Sequence, residues 1–371
     1  MVGSPLRDTG LSLWTEREVI SLSEKKLRIG VIGGGGIAQA AHINNYKRFA
    51  DQAELVAIAD IVPEVVDKNV KEHGFQYGFT DFDEMLAKVE LDAVSVCVPN
   101  KYHTPATIAA LKVGCHVLCE KPPAMTGAQA REMAAVAEKA GKILTYGFMN
   151  RYTAEAQILK RFVDAGELGN IYTGRVTAMR RSGIPGWGVF TNKELQGGGP
   201  LIDIGVHMLD LALYLMGYPK ATKVWGVTYQ ELGNRPMTPT WGGQWDYENF
   251  SIEDMALAMI QFDNGATLQL ETSFIIHAND DNGNTIRLSG TEGGCAYRPL
   301  ALFQDKHKTL IDITPAFIPK VDGYRVEIGT FLKAIRGEDE VLCKPHEGVI
   351  VQEIIEGIYT SALTGEMVTI S

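Results

Sequence analysis

Residues 27–38 read Leu-Arg-Ile-Gly-Val-Ile-Gly-Gly-Gly-Gly-Ile-Ala, a short apolar run that stops on four glycines and gives way to a helical pattern. Gly33, Gly35 and Ala38 fall at the spacing G-x-G-x-x-G/A. Between a strand and a helix, that spacing marks a dinucleotide site. Glycine permits the tight turn and lets the backbone approach a pyrophosphate. The helix N-terminus then faces the negative charge. Without that context the run would be only a tight turn. The rest of the N-terminal half supplies it. Strands are expected at 54–59, 93–98, 116–119 and 143–147, with helices at 37–49, 62–73, 104–113 and 126–140 between them. Pro63 suits a first helical turn, Thr126 an N-cap and Gly141 a C-cap. Alternation of this kind predicts parallel βαβ units in a doubly wound sheet.

Asp60 ends the second strand, at the distance from the glycines where a carboxylate accepts hydrogen bonds from ribose hydroxyls. A carboxylate there repels a 2′-phosphate, and no Arg or Lys follows directly. This favours NAD over NADP. Asp60 also suits the start of the next helix, and both roles can hold.

Past Asn150 the pattern changes. Helices are expected at 154–164, 200–216, 324–336 and 346–363. Long strands are expected at 171–181, 222–231, 255–262, 266–274 and 286–290, with Asp263-Asn264-Gly265 as a hairpin turn. Consecutive strands on short turns imply a large, open, mostly antiparallel sheet. At about 150 residues per domain, 371 residues make two. The expected division is an N-terminal extension at 1–26, an NAD-binding α/β domain at 27–150 and a second α/β domain at 151–371. The extension, which contains Trp14, reads as a flexible arm, as one that packs on a neighbouring subunit, or as the trace of an upstream start.

Composition excludes other classes. Lys+Arg is 35 and Asp+Glu 45, a net charge of −10 with no basic stripe, so nucleic acid is not an expected partner. No run of about 20 apolar residues predicts a membrane span, and the first residues lack a signal peptide's apolar core. Five cysteines without disulfide spacing point to a reducing, cytoplasmic setting. Cys115 and Cys119 flank His116, but the stretch reads as a buried strand rather than a zinc site.

Ligands of doubly wound sheets bind beyond the carboxyl ends of strands. Pro99-Asn100-Lys101-Tyr102-His103 follows one such end and Glu120-Lys121-Pro122 the next. In the second domain, Asp203, His207 and Asp210 are four and three residues apart and share a face of an otherwise apolar helix. A lone histidine there would be a core residue, whereas two acids on its stripe point to a site. HExxH is absent, so no metal is expected.

Taken together, these motifs resemble the glucose-fructose oxidoreductase/inositol dehydrogenase/rhizopine catabolism (Gfo/Idh/MocA) family from about Leu27 onward. Weaker echoes are residues 147–152, 252–254 and 290–294. The resemblance implies a Rossmann domain followed by an α/β domain whose open sheet joins a homodimer or homotetramer. It places Lys121, Asp203 and His207 at catalytic positions. The implied cofactor is NAD, held by Gly33, Gly35, Gly36, Ile37, Ala38 and Asp60. Pro99, Asn100, His103, Glu120, Lys121 and Asn150 complete that set. The implied reaction passes hydride between nicotinamide and a secondary alcohol of a sugar, sugar derivative or cyclitol. Tyr152 and Trp187 are candidate substrate contacts, since a sugar's apolar face suits an aromatic ring. Rival readings are an NAD-binding sensor or repressor without turnover, and an NAD-assisted glycosidase. The N-terminal extension and the loop at 234–250 depart from the family pattern.

Overall fold

The glycine turn at 33–36 lies at the centre of a six-stranded parallel sheet, in the computed structural model that describes residues 25–278 and 283–370. Trp14 and all but the last two residues of the expected extension lie outside the described residues. The strands are β1 (Leu27–Ile32), β2 (Ala53–Ala59), β3 (Tyr77–Phe79), β4 (Ala93–Val96), β5 (His116–Cys119) and β6 (Leu144–Tyr146), in the order β3-β2-β1-β4-β5-β6. The order reverses between β1 and β4, which opens a crevice beyond their carboxyl ends. Helices cover both faces, so β4 is buried along its whole length. Strand β3 and the helix Phe82–Lys88 were not expected from the sequence. Thr126 and Gly141 cap the helix Gly127–Ala140, Thr126 accepting from the Gln129 N–H and Gly141 adopting a left-handed φ of 61°.

The second sheet has nine strands. They are β7 (Ile171–Met179), β8 (Ala221–Tyr229), β9 (Met255–Phe262), β10 (Thr267–Ser273), β11 (Asn284–Gly290), β12 (Gly294–Tyr297), β13 (Ala301–Lys306), β14 (Thr309–Ile313) and β15 (Val368–Thr369). Their order is β14-β13-β12-β11-β7-β10-β9-β8-β15. Only the β7–β10 pairing is parallel, so the sheet is mixed but mostly antiparallel. Asp263-Asn264-Gly265 joins β9 to β10 as its residues predict, Gly265 at φ 84°. One sheet face buries Val224, Ile260, Leu268 and Leu270. The helix Pro345–Thr364 packs along β8 on this side. The other face carries Trp225 and Met259 in solvent.

The helix Val206–Met216 begins with a wide π-type turn at Leu201–Gly205, a distortion common at functional sites. The run from Lys193 to Met216 is long and apolar enough by composition to cross a bilayer, but most of it is buried inside the protein, as in a core helix. All five cysteines are free and buried, and the His116 ring accepts from the Ile143 N–H.

Candidate active site

The glycine turn is tight at its base and open at its top. Gly33 has φ 93°, and a Cβ there would stand 2.5 Å from the Cys97 carbonyl oxygen. At Gly34 a Cβ would meet Val65 at 2.7 Å and Asn69 at 2.9 Å. At Gly35 and Gly36 it would meet nothing within 4 Å. Gly35, Gly36 and Ile37 are exposed at the head of the helical stretch 38–47, whose Ala38 is buried. An exposed helix N-terminus on a backbone stripped of side chains fits a dinucleotide pyrophosphate. Asp60 braces this turn. Its Oδ2 accepts from the Gly34 N–H at 2.8 Å and its Oδ1 from the Val62 N–H at 3.0 Å. Its partly exposed carboxylate keeps lone pairs for ribose hydroxyls.

Beyond β4 and β5 the expected cofactor residues divide. Pro99 and Asn100 reach the crevice, where the Asn100 amide donates to the Gln196 carbonyl at 2.8 Å. His103 does not reach it. The ring is buried, with Nδ1 2.7 Å from the Pro122 carbonyl and Nε2 2.9 Å from that of Val98. Burial lowers its pKa despite those carbonyls. His103 therefore braces two strand-end loops from behind, and the expectation of a cofactor contact by its side chain is corrected.

Glu120 is also buried. Its Oε1 lies 2.9 Å from His42 Nε2, and its Oε2 accepts from the Lys121 N–H at 3.2 Å. Burial raises the Glu120 carboxyl, but the hydrogen bond to His42 and the neighbouring groups, Lys121 among them, together hold it below the usual range. His42 continues to Ser95 Oγ at 3.0 Å, and Ser95 to the Tyr46 hydroxyl at 2.9 Å. This buried chain, absent from the sequence reading, fixes the backbone that presents Lys121.

Lys121, Asp203 and His207 meet across the two sheets' elements. Lys121 Nζ donates to Asp203 Oδ1 at 2.7 Å and to the Asp203 carbonyl at 3.0 Å. Burial raises the Asp203 carboxyl, but the Lys121 ammonium overrides it, so Asp203 stays ionised. One turn on, burial and the Lys121 charge push the His207 pKa down to about 3. The ring is thus neutral near pH 7. Its Nδ1 makes no hydrogen bond among the described residues, and the Phe148 ring stands edge-on at 6.5 Å.

These three residues line one cavity of about 310 Å³ together with Asn150 and Trp187. Tyr152 does not reach it. It is 4% exposed, and its hydroxyl accepts from the Leu342 N–H at 3.2 Å, so the expected substrate contact is corrected to packing. Asp210 also leaves the stripe. It takes a bidentate pair from the fully buried Arg151, at 2.9 and 2.6 Å, while Arg151 also binds Glu347. Sequence reasoning missed Arg180, Trp241, Asn284, Arg298 and Tyr324 on the cavity wall. Arg180 directly follows β7, a strand end that could have flagged it. Trp241 comes from the 234–250 loop, where its tryptophans were the only signal.

The chain matches the Gfo/Idh/MocA oxidoreductase family over two segments, the NAD-binding Rossmann fold at residues 27–148 and the C-terminal alpha/beta domain at residues 160–370. It is 38% identical over 348 residues to D-glucoside 3-dehydrogenase of Escherichia coli K12, covering 94% of this chain and 99% of that one. It is 28% identical over 324 residues to scyllo-inositol 2-dehydrogenase (NAD(+)) of Bacillus subtilis, covering 84% and 87%. Levoglucosan dehydrogenase in complex with NADH shares the fold with a TM-score of 0.81 at 24% identity, over 94% of this chain and 100% of that one. The chain belongs to the Gfo/Idh/MocA family of NAD-binding oxidoreductases.

Proposed function

We propose that this chain oxidises a secondary alcohol of a pyranose, its glycoside or a cyclitol, with Lys121, Asp203 and His207 as the catalytic set. The observation that carries this is the Lys121–Asp203 pair beside a neutral His207, facing one cavity at the carboxyl ends of the parallel strands. The glycine turn and Asp60 would hold NAD, which would supply the hydride acceptor when bound. The alcohol must lose its hydroxyl proton as its C–H bond breaks, and neutral His207 accepts it. Lys121 donates a hydrogen bond to the reacting oxygen and stabilises its developing charge. Asp203 fixes Lys121 in place. The alcohol carbon leaves as a ketone, with NADH and one proton as the other products. Two polar clusters facing one small molecule suit a polyhydroxylated ligand, because each buried polar group needs a partner. The names of the E. coli and B. subtilis relatives support a sugar or cyclitol.

The reading assigns residues 27–150 to NAD and 151–371 to substrate and assembly. NAD is preferred over NADP through Asp60. Five free, buried thiols support a reducing compartment such as the cytoplasm. The open face of the nine-stranded sheet supports a homodimer or homotetramer. A screen of sugars, glycosides and inositols with NAD, followed by NADH absorbance, tests the activity. Turnover supports it and excludes a sensor. Glycoside cleavage without net NADH would replace it with the glycosidase reading.

A further inference from the structure

Two surface loops, at 180–191 and 234–250, are sewn together over the cavity. The Thr240 N–H donates to the Ser182 carbonyl at 2.9 Å, and Ser182 Oγ to the Thr238 carbonyl at 2.6 Å. The Gly186 N–H donates to the Gly242 carbonyl at 2.9 Å. The approach there is so close that a Cβ at Gly186 would stand 2.1 Å from the Gln244 carbonyl oxygen. One at Gly242, whose φ is 87°, would stand 2.4 Å from that of Ile184. Trp245 anchors the second loop. It is 5% exposed, and its indole N–H donates to the Gly233 carbonyl at 2.7 Å. These loops are therefore set in position by the fold.

What they hold is apolar and open. Trp187 is 49% exposed and Trp241 51%, with their rings 5.0 Å apart and nearly perpendicular at 74°. Phe190 stands 6.1 Å from Trp187, and the Arg180 guanidinium lies 4.4 Å over Trp241. Trp245 meets the loop's need for a buried anchor. The half-exposed pair serves no core, and both rings line the same cavity as Lys121, Asp203 and His207. The cavity thus has two chemistries, a charged polar floor and an aromatic rim. A single polyhydroxylated ring satisfies the floor alone. A flat apolar ring face satisfies an indole.

We propose that Trp187 and Trp241 form a subsite for a second ring on the substrate, so that the preferred substrate is a glycoside bearing a sugar or aromatic substituent. This rests on the dehydrogenase reading above. The reacting ring lies over Lys121 and His207, and the substituent ring packs against the tryptophans. A second sugar and an aryl group share the required ring face, and the experiment separates them.

The test compares kcat/KM with NAD for a methyl glycoside, a disaccharide and a phenyl glycoside of one sugar. Aromatic packing of this kind gives the wild type a preference of roughly tenfold for a ring-bearing substrate over the methyl glycoside. Whichever of the two rings carries the preference names the class. In Trp187→Ala and Trp241→Ala the preference falls to within about twofold, and Trp241→Phe restores part of it. Thermal midpoints confirm that the variants fold, and Trp241→Phe carries the comparison if an alanine variant does not. Equal kcat/KM for all three glycosides in the wild type would overturn the subsite while leaving the dehydrogenase intact. So would an equal loss on methyl and ring-bearing substrates in both alanine variants. If no sugar yields NADH, the dehydrogenase reading fails instead. The subsite then stands or falls on saturable quenching of tryptophan fluorescence by the phenyl glycoside or disaccharide, and its absence overturns the proposal.

Discussion

Lys121 Nζ lies 2.7 Å from Asp203 Oδ1, although 82 residues separate the two. One lies two residues past the end of β5 in the parallel sheet, and the other lies on the wide turn that opens the helix Val206–Met216. The pair closes one wall of the cavity and holds a positive charge where a reacting oxygen would sit. His207, one turn beyond, supplies a neutral ring beside it. Lys121→Ala and His207→Ala should each lower kcat by roughly a hundredfold or more, the scale of general acid–base groups. NAD affinity, read by fluorescence titration, should survive because the glycine turn and Asp60 are untouched. A His207→Ala enzyme running at the wild-type rate would return His207 to packing.

The low pKa of His207, about 3, also has a stability signature. Folded His207 takes a proton only near pH 3, whereas the unfolded side chain takes one near 6.5. Between those values the unfolded state binds more protons, so acidification destabilises the fold. The effect reaches about 2 kcal/mol between pH 6.5 and 4.5. Denaturant unfolding at both pH values should show a steeper loss in the wild type than in His207→Asn. Parallel losses in the two proteins would mean that His207 is not held neutral. The acid limb of kcat/KM should likewise not fall near pH 6.5.

Local chemistry made much of this legible. The glycine turn, the capped helix Gly127–Ala140 and strand β5 follow from residue spacing and period alone. Lys121 and His207 were visible because strand ends and four-residue spacing are local facts. Asp210 shares their helix, but nothing in the sequence says that Arg151 lies opposite it. Asn150 and Tyr152 share one short 3₁₀ turn, with no period to show that one lines the cavity and the other is buried. Trp241 reaches the site only because two distant loops bond to each other. Strands β12 to β14 escaped notice for another reason. These strands are only four to six residues long, and Asp305, Lys306 and Asp312 interrupt the apolar residues of the outer pair, so no long apolar run marks them.

Asp60 does two jobs, and its variants separate them. Its Oδ2 holds the Gly34 N–H, and on the proposed NAD reading its charge repels a 2′-phosphate. Asp60→Asn keeps an acceptor for Gly34 but loses the charge. Its NAD-over-NADP preference should narrow with little change in KM for NAD. Asp60→Ala loses both, so the preference should narrow and KM for NAD should rise. Equal kcat/KM for NAD and NADP in the wild type would defeat this assignment.

The outer face of the nine-stranded sheet makes the last prediction. Inward residues Val224, Ile260 and Leu268 alternate with outward Trp225 and Met259, which are 43% and 45% exposed and face each other across the β8–β9 register. Phe303 on β13 and Tyr229 on β8 are also open. Nine strands of two to nine residues, at about 3.3 Å per residue and about 4.8 Å between strands, give a face of roughly 900 Å². A standard interface buries about 800 Å² per partner, so the face is large enough for a stable self-association. Polar residues temper it. Arg175 pairs with Glu271 at 3.0 Å on the neighbouring strands β7 and β10, so the middle of the face carries an ion pair beside the apolar β8–β9 patch. A charge buried by a partner on the β8–β9 patch would be desolvated without a counter-charge, at a cost of several kcal/mol. Trp225→Glu combined with Met259→Glu should therefore shift the sedimentation mass from a multiple of 40.6 kDa to that of one chain. The monomer should keep its NAD affinity, since the glycine turn lies on the other sheet. A wild-type chain that sediments as a monomer, or an oligomer indifferent to both glutamates, would show that this face is not the contact.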